Sequence, residues 1–264
     1  MKPSRFIYTA HAVGVSAQFT RIETNRNLDL QLTAQASCAL PITGGIARGE
    51  AKRFKLPFEA KDRKYLMISG ESAATECIGV AKKNGVETSA STQVIGYTAC
   101  EKRLVIGSMR ARMKSVHPFA DGELPSFELG GDTAIEGVRI GKVELTIAFD
   151  LLRKYKTSAS IGEMKARHQK LFGNQPKLDA NFDCGYYQTT IVKSITAKGP
   201  EKDKAELTIR GNSVSWKELG TVYFGELYVS GYTRRLVLLR AQFGSPSEGT
   251  SGGGEIVTNG SGGN

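Results

Sequence analysis

The chain has 264 residues, with 36 Lys or Arg against 26 Asp or Glu and a formal charge of +10. Apolar residues make up 40% and charged residues 23%, a globular balance that excludes wholesale disorder and collagen-like structure. No apolar run approaches the roughly 18 to 20 residues that a membrane-spanning helix requires, so neither a helical membrane protein nor a membrane partner is expected.

At the amino terminus, Lys2 and Arg5 precede a moderately apolar stretch that imitates a signal peptide, but Thr9, His11, Ser16 and Gln18 interrupt it. Residues 5–20 therefore read as a first strand, and a cytoplasmic location is expected. A polar turn over 22–27 leads to a run in which Leu28, Leu30, Leu32, Ala34, Ala36, Cys38 and Leu40 share one face and Asp29, Gln31, Thr33, Gln35 and Ser37 the other. At ~3.3 Å per residue this strand spans roughly 40 Å, about twice the usual length. Two long strands joined this way form an antiparallel hairpin.

Further strands are predicted near 46–58, 64–69, 86–99 and 103–116. Val143, Leu145, Ile147 and Phe149 alternate with Lys142, Glu144, Thr146 and Ala148, and Ala205, Leu207 and Ile209 alternate with Glu206, Thr208 and Arg210. More strands are predicted near 184–197, 221–230 and 233–243, with turn chemistry at Asn84-Gly85, Gly130-Gly131-Asp132, Gly199-Pro200, Gly211-Asn212 and Ser230-Gly231. One segment, EMKARHQKLF, is built of helix formers and stopped by Gly173-Asn174, which predicts a single short helix near 161–173. The fold class is therefore all-β, a large antiparallel sandwich or barrel with unusually long strands. Residues 1–243 are expected to form one β-rich domain. From Gly244 the chain holds eight of the 30 glycines and is expected to be a disordered, dispensable tail.

Cys38, Cys77, Cys100 and Cys184 form no C-x-x-C pair and have no histidine at metal-ligand spacing, so they are expected to be reduced and mostly buried. Only His11, His117 and His168 are available for acid–base work near neutral pH. His11 falls on the face of Val13 and Val15 and reads as structural. No nucleophile elbow, H-E-x-x-H pair or Walker A loop is present, and no cofactor or metal is expected. Asp121, Glu123, Glu128, Asp132 and Glu136 concentrate in one segment, which matches no calcium loop and reads as a solvated loop pair. Trp216 reads as a buried or half-buried ring.

The cations carry more information. A strand over SMRARMK puts Arg110, Arg112 and Lys114 on one face at ~7 Å spacing, where their repulsion calls for an acidic cross-strand neighbour, an anionic ligand or an acidic partner. Lys52, Arg53 and Lys55 flank Phe54, Lys61, Arg63 and Lys64 adjoin Tyr65, Arg153, Lys154 and Lys156 flank Tyr155, and Arg234 and Arg235 are adjacent. Basic residues interleaved with aromatics suit single-stranded nucleic acid, although alternation in a half-buried sheet produces the same pattern. A porin-like barrel would need such cations to line a lumen and girdles built from only 8% aromatics. The function expected is a non-catalytic β-scaffold that self-associates or binds a protein partner through this basic surface. Nucleic-acid or other polyanion binding, and an enzyme with dispersed catalytic residues, are the alternatives.

Overall fold

The computed structural model describes residues 6–23, 26–60, 63–119, 126–151, 155–156, 187–229, 233–244 and 249–262. Nearly all of them are antiparallel strand, in two sheets packed together. β1 (Phe6–Glu23) and β2 (Arg26–Ala39) form the expected hairpin. The chain then crosses through residues 40–44 into a meander of β3 (Gly45–Ala60), β4 (Arg63–Lys82), β5 (Gly85–Ala99) and β6 (Leu104–Pro118). The short strands β7 (Ser126–Leu129), β8 (Ala134–Glu136) and β9 (Val138–Ile140) all pair with β6, β10 (Val143–Phe149) follows β9, and β11 (Tyr155–Lys156) pairs with β7.

The remaining described elements are β12 (Tyr187–Thr190), β13 (Val192–Lys198), α1 (Glu201–Ala205), β14 (Leu207–Arg210), β15 (Ser213–Trp216), β16 (Gly220–Val229), β17 (Thr233–Phe243) and β18 (Gly249–Gly262). Sheet A runs β14-β15-β16-β17-β18-β1-β2, with β12 also on β16, and sheet B runs β13-β10-β9-β6-β5-β4-β3. The chain changes sheets between β12 and β13 at one residue. The Ile191 N–H donates to the Gly225 carbonyl in sheet A, while the Ile191 carbonyl accepts from the Asp150 N–H beside β10 of sheet B.

Alternation forms these strands, but it is interrupted once at a common level in each sheet. In β5 the buried set passes from Val86, Thr88, Ala90, Thr92 and Val94 to Tyr97 and Ala99, and in β6 from Leu104 and Ile106 to Met109, Ala111 and Met113. In β17 it passes from Arg234 and Leu236 to Leu239, Ala241 and Phe243. By the ladder register the breaks line up, through Arg53, Glu71, Gly96 and Gly107 in sheet B and through Gly14, Gly254, Leu238 and Gly225 in sheet A. Arg53, Gly96, Gly225 and Gly254 have φ of 49°, 67°, 59° and 65°, the left-handed conformation that glycine adopts without steric cost. Each strand thus inserts one residue, as in a β-bulge. Because its neighbours do the same, the pairing stays in register.

β2 departs from this rule. Its pairing with β1 slips between Val15 and Ala17, and Ala36 adopts φ 52°. Two irregularities restore the original parity, so Leu32, Ala36 and Leu40 are buried while Ala34, expected on the same face, is exposed. In β1 a single break at Gly14 puts His11 and Val13 on the outer face and Val15 inside, which corrects the shared face read for His11, Val13 and Val15. Leu30 packs against the core with Gln31 exposed, Val143, Leu145 and Ile147 are buried, and Lys142 and Glu144 are exposed. The side chain of Leu28 and the helix predicted near 161–173 lie outside the described residues. α1 was not anticipated, and Ala205 belongs to it rather than to β14.

The carboxy-terminal segment overturns the expectation of a disordered tail. β18 is a 14-residue strand between β1 and β17, in the middle of sheet A. Two of its glycines, Gly253 and Gly254, are packing residues. A Cβ on Gly253 would lie 2.6 Å from Cε of Met109 in sheet B, closer than side-chain carbons approach. Its hydroxyls stitch the sheets together: Ser251 Oγ donates to the Ser16 carbonyl (3.1 Å) and lies 2.9 Å from the Tyr97 hydroxyl, and Thr258 Oγ1 lies 2.6 Å from Ser115 Oγ. Both pairs are buried, where an unpartnered hydroxyl costs roughly 1–3 kcal/mol. A chain ending at Phe243 loses the strand shared by β1 and β17. It is expected to show no cooperative urea transition and to bind a hydrophobic dye, whereas the full chain does the reverse.

Candidate functional site

β6 places Met109, Ala111 and Met113 in the core and turns Arg110, Arg112 and Lys114 to the outer face of sheet B. Cross-strand acids answer two of the three charges. Arg110 Nη2 donates to Glu136 Oε1 (2.9 Å) and Nε to the Asp132 carbonyl (2.9 Å), and Ser108 Oγ donates to Glu136 Oε2. Lys114 Nζ lies 3.3 Å from Glu87 and 3.5 Å from Glu128. Partial burial acts to lower the Lys114 pKa, but Glu87 and then Glu128 outweigh it and hold it above the ordinary lysine value. Glu128 and Glu136 of the acidic segment therefore supply counter-charge to the cationic strand, with Glu128 paired opposite Lys114 and Glu136 opposite Ser108, while Asp121 and Glu123 lie outside the described residues.

Arg112 differs from its neighbours. It is exposed, its backbone N–H donates to Thr133 Oγ1, and among the described residues its guanidinium has no ion pair. Arg48 stands opposite Glu76, Glu76 opposite Ser91, and Ser91 opposite Arg112, with Arg48 Nε bound to Glu76 Oε1 at 2.7 Å. These residues line a shallow depression of about 360 Å³ with Glu50, Gln93, Arg110 and Asp132. The depression is therefore lined by charges of both signs, and among the described residues that line it Arg112 is the cation without an ion pair.

Lys52, Arg53 and Lys55 are exposed on β3, which ends sheet B three strands from β6, about 14 Å away. With Pro57 on the same strand they form the cation-and-proline pattern that discourages edge-to-edge pairing. Lys156 sits on β11 opposite Ser126, while Arg153 and Lys154 lie outside the described residues. Lys64 pairs with Glu59. Arg234 and Arg235 diverge: Arg234 is fully buried against Phe127, and Arg235 is exposed.

The outer face of sheet A carries a second polar set that no sequence motif marked. Arg240 binds the buried carboxylate of Glu226 through two contacts of 2.7 Å and lies 4.0 Å from the Tyr223 ring centroid. Arg235 binds Glu255 at 3.0 Å and lies over Tyr228, with His11 3.8 Å from the same carboxylate. Burial alone raises the Glu255 carboxyl, but His11 and Arg235 outweigh it and hold it below the usual range. Only the register of β1, β18, β17 and β16 brings these groups together.

His117 is buried against Phe6, with its rings 5.3 Å apart, and burial followed by the Arg234 charge pushes its pKa down to about 4. His168 lies outside the described residues, and Trp216 is half-buried over Gly141 with its indole N–H donating to Glu206. Among the described residues no three His, Cys, Asp or Glu side chains cluster as metal ligands, and no helix is long and apolar enough to cross a membrane.

Two outcomes follow from these geometries. A His117 pKa held below its unfolded value of about 6.5 means that stability is fully present above pH ~6.5 and falls as pH drops toward 4, by on the order of 3 kcal/mol. Urea denaturation across that window is expected to show the slope in the parent chain and a flatter profile in His117→Phe. Arg240→Gln leaves the Glu226 carboxylate buried without its partner and is expected to cost about 3 kcal/mol in the same assay, while Lys64→Gln, at an exposed pair, leaves the midpoint within error.

A search of curated proteins finds no match to the chain. The profile of one family, described as Domain of unknown function (DUF8256), matches residues 6–183. That span contains β1 to β11, including the charged face of β6 and its acidic counterpart. The match covers well over half of the sequence, and the chain belongs to this family.

Proposed function

We propose that the chain is a non-catalytic binding module that docks an acidic protein surface on the outer face of sheet B, with Arg112 as the anchoring charge. The observation that carries this reading is the contrast along β6: Arg110 and Lys114 are held by Glu136, Glu87 and Glu128, whereas the Arg112 guanidinium is exposed in the depression without an ion pair among the described residues. An uncommitted guanidinium forms a two-point bond with a carboxylate. The surrounding lattice holds it in place and discriminates against mismatched charge patterns.

The same lattice weighs against a nucleic-acid partner. Glu76, Glu87, Glu128 and Glu136 interleave with the cations across neighbouring strands ~5 Å apart, so an evenly charged phosphate backbone laid along the face would meet carboxylates as often as cations, whereas a protein surface presents single carboxylates at separated points. Lys52, Arg53 and Lys55 support the scaffold by protecting its edge rather than by extending the docking face.

Fluorescence anisotropy with two labelled probes, an acidic polypeptide and a single-stranded oligonucleotide, tests the reading. The acidic polypeptide is expected to bind more tightly and to weaken as salt rises. Arg112→Glu is expected to reduce that binding by about tenfold or more without moving the melting temperature, since the side chain is exposed. Equal binding by parent and Arg112→Glu chains sinks the proposal, as does tighter binding of the oligonucleotide with a steep salt slope.

A further inference from the structure

Two cysteines on different sheets lie almost in bonding contact. Cys38 Sγ on β2 of sheet A donates to Cys77 Sγ on β4 of sheet B at 3.5 Å, and Cys77 Sγ lies 3.9 Å from the Cys38 carbonyl. The pair sits where β2 folds over β3 and β4, next to the crossing through residues 40–44 that carries the chain from one sheet to the other. Gly49 holds the layers close at this corner, since a Cβ there would lie 2.5 Å from the Ser37 carbonyl oxygen. Cys38 is half-buried and Cys77 has no exposed surface, so a solvent-borne reagent reaches Cys38 first. Cys100 is far from both. Its backbone N–H donates to the carbonyl of Met67, which lies on β4 ten residues from Cys77, about 33 Å along the strand.

We propose that Cys38 and Cys77 are the site of an inter-sheet disulfide, formed by exchange with a small-molecule disulfide of the glutathione class. The Cys38 thiolate attacks one sulfur of the reagent, which forms a mixed disulfide and releases one small thiolate. Cys77 gives up its proton, its sulfur attacks the Cys38 sulfur, and the second small thiolate leaves. Both cysteines are oxidised, the reagent is reduced to two thiols, and the two cysteine protons end on those thiols. A bonded pair requires sulfurs ~2.05 Å apart, so closure needs a travel of about 1.5 Å, within reach of side-chain rotation. The crosslink closes residues 38–77 into a loop and fixes Arg48 and Glu76, which lie beside it on β3 and β4, at the edge of the depression.

The test uses the full chain equilibrated with oxidised glutathione, alkylated and mapped by mass spectrometry, with melting curves recorded in parallel. A peptide joining Cys38 to Cys77 is expected, with a melting temperature raised by about 10 °C and restored by a phosphine reductant. Cys38→Ser is expected to fold, to form no crosslink and to show no response of its melting curve to the oxidant. Cys100→Ser retains the crosslink. Persistence of a mixed disulfide at Cys38 without capture by Cys77, a linkage of either cysteine to Cys100 or Cys184, or a crosslink that leaves the melting temperature unchanged each overturns the proposal.

Discussion

Everything else in this molecule depends on the close approach of the two sheets beneath β18. Gly253 is the only kind of residue that leaves room for Met109 above it, and the methyl of Ala73 sits where a side chain on Gly14 would go. With the layers that close, hydroxyls on opposite sheets meet directly, as Tyr97 meets Ser251 and Thr258 meets Ser115. These contacts lie among fully buried residues, and the register of the long strands spaces charge on their outer faces at fixed intervals. A bulky residue at Gly253 would push Met109 aside on β6, the strand that carries Arg110, Arg112 and Lys114.

Charge placement follows from register. On the outer face of sheet B Arg110 and Lys114 are each set against particular acids because β7, β8 and β5 pair with β6 at particular residues. A one-residue slip would turn the cations into the core. The lattice therefore shares its cause with the core, and the isolation of Arg112 follows from the same pairing: its β5 partner is Ser91, and Thr133 meets its backbone rather than its side chain.

Strand content was legible in the sequence because period-two alternation is local. It identified β2, β5, β6, β10, β16 and β17, and it put Arg110, Arg112 and Lys114 on one face. The misread faces have a common physical origin. Where a glycine or a left-handed residue inserts into a strand, parity changes, and the pattern no longer says which face is buried, as around Gly14 and His11. In β2 two irregularities cancelled, so a regular pattern concealed the exposed Ala34. β4 was read as 64–69 because GESAATECIGVAK is rich in small residues with weak β propensity, yet it is 20 residues long. The glycines of β18 were read as disorder because composition records the absence of side chains and says nothing of what fills the space. The Glu226–Arg240 and Glu255–Arg235 pairs were illegible for a different reason: each joins residues of separate strands, and only strand order brings them into contact.

The pairing of β1 with β18 also sets the order in which the molecule can be built. Phe19 pairs with Gly249 and Ala10 with Thr258, contacts that span more than two hundred residues, so the entropy of closing that loop is lost before any of its bonds form. During synthesis the β3–β6 meander, made of neighbours in sequence, is complete while one side of β1 still has no strand beside it. A high proportion of such distant pairings slows folding. For that interval the nascent chain displays an open strand edge, and it stays open until β18, more than two hundred residues downstream, pairs with it.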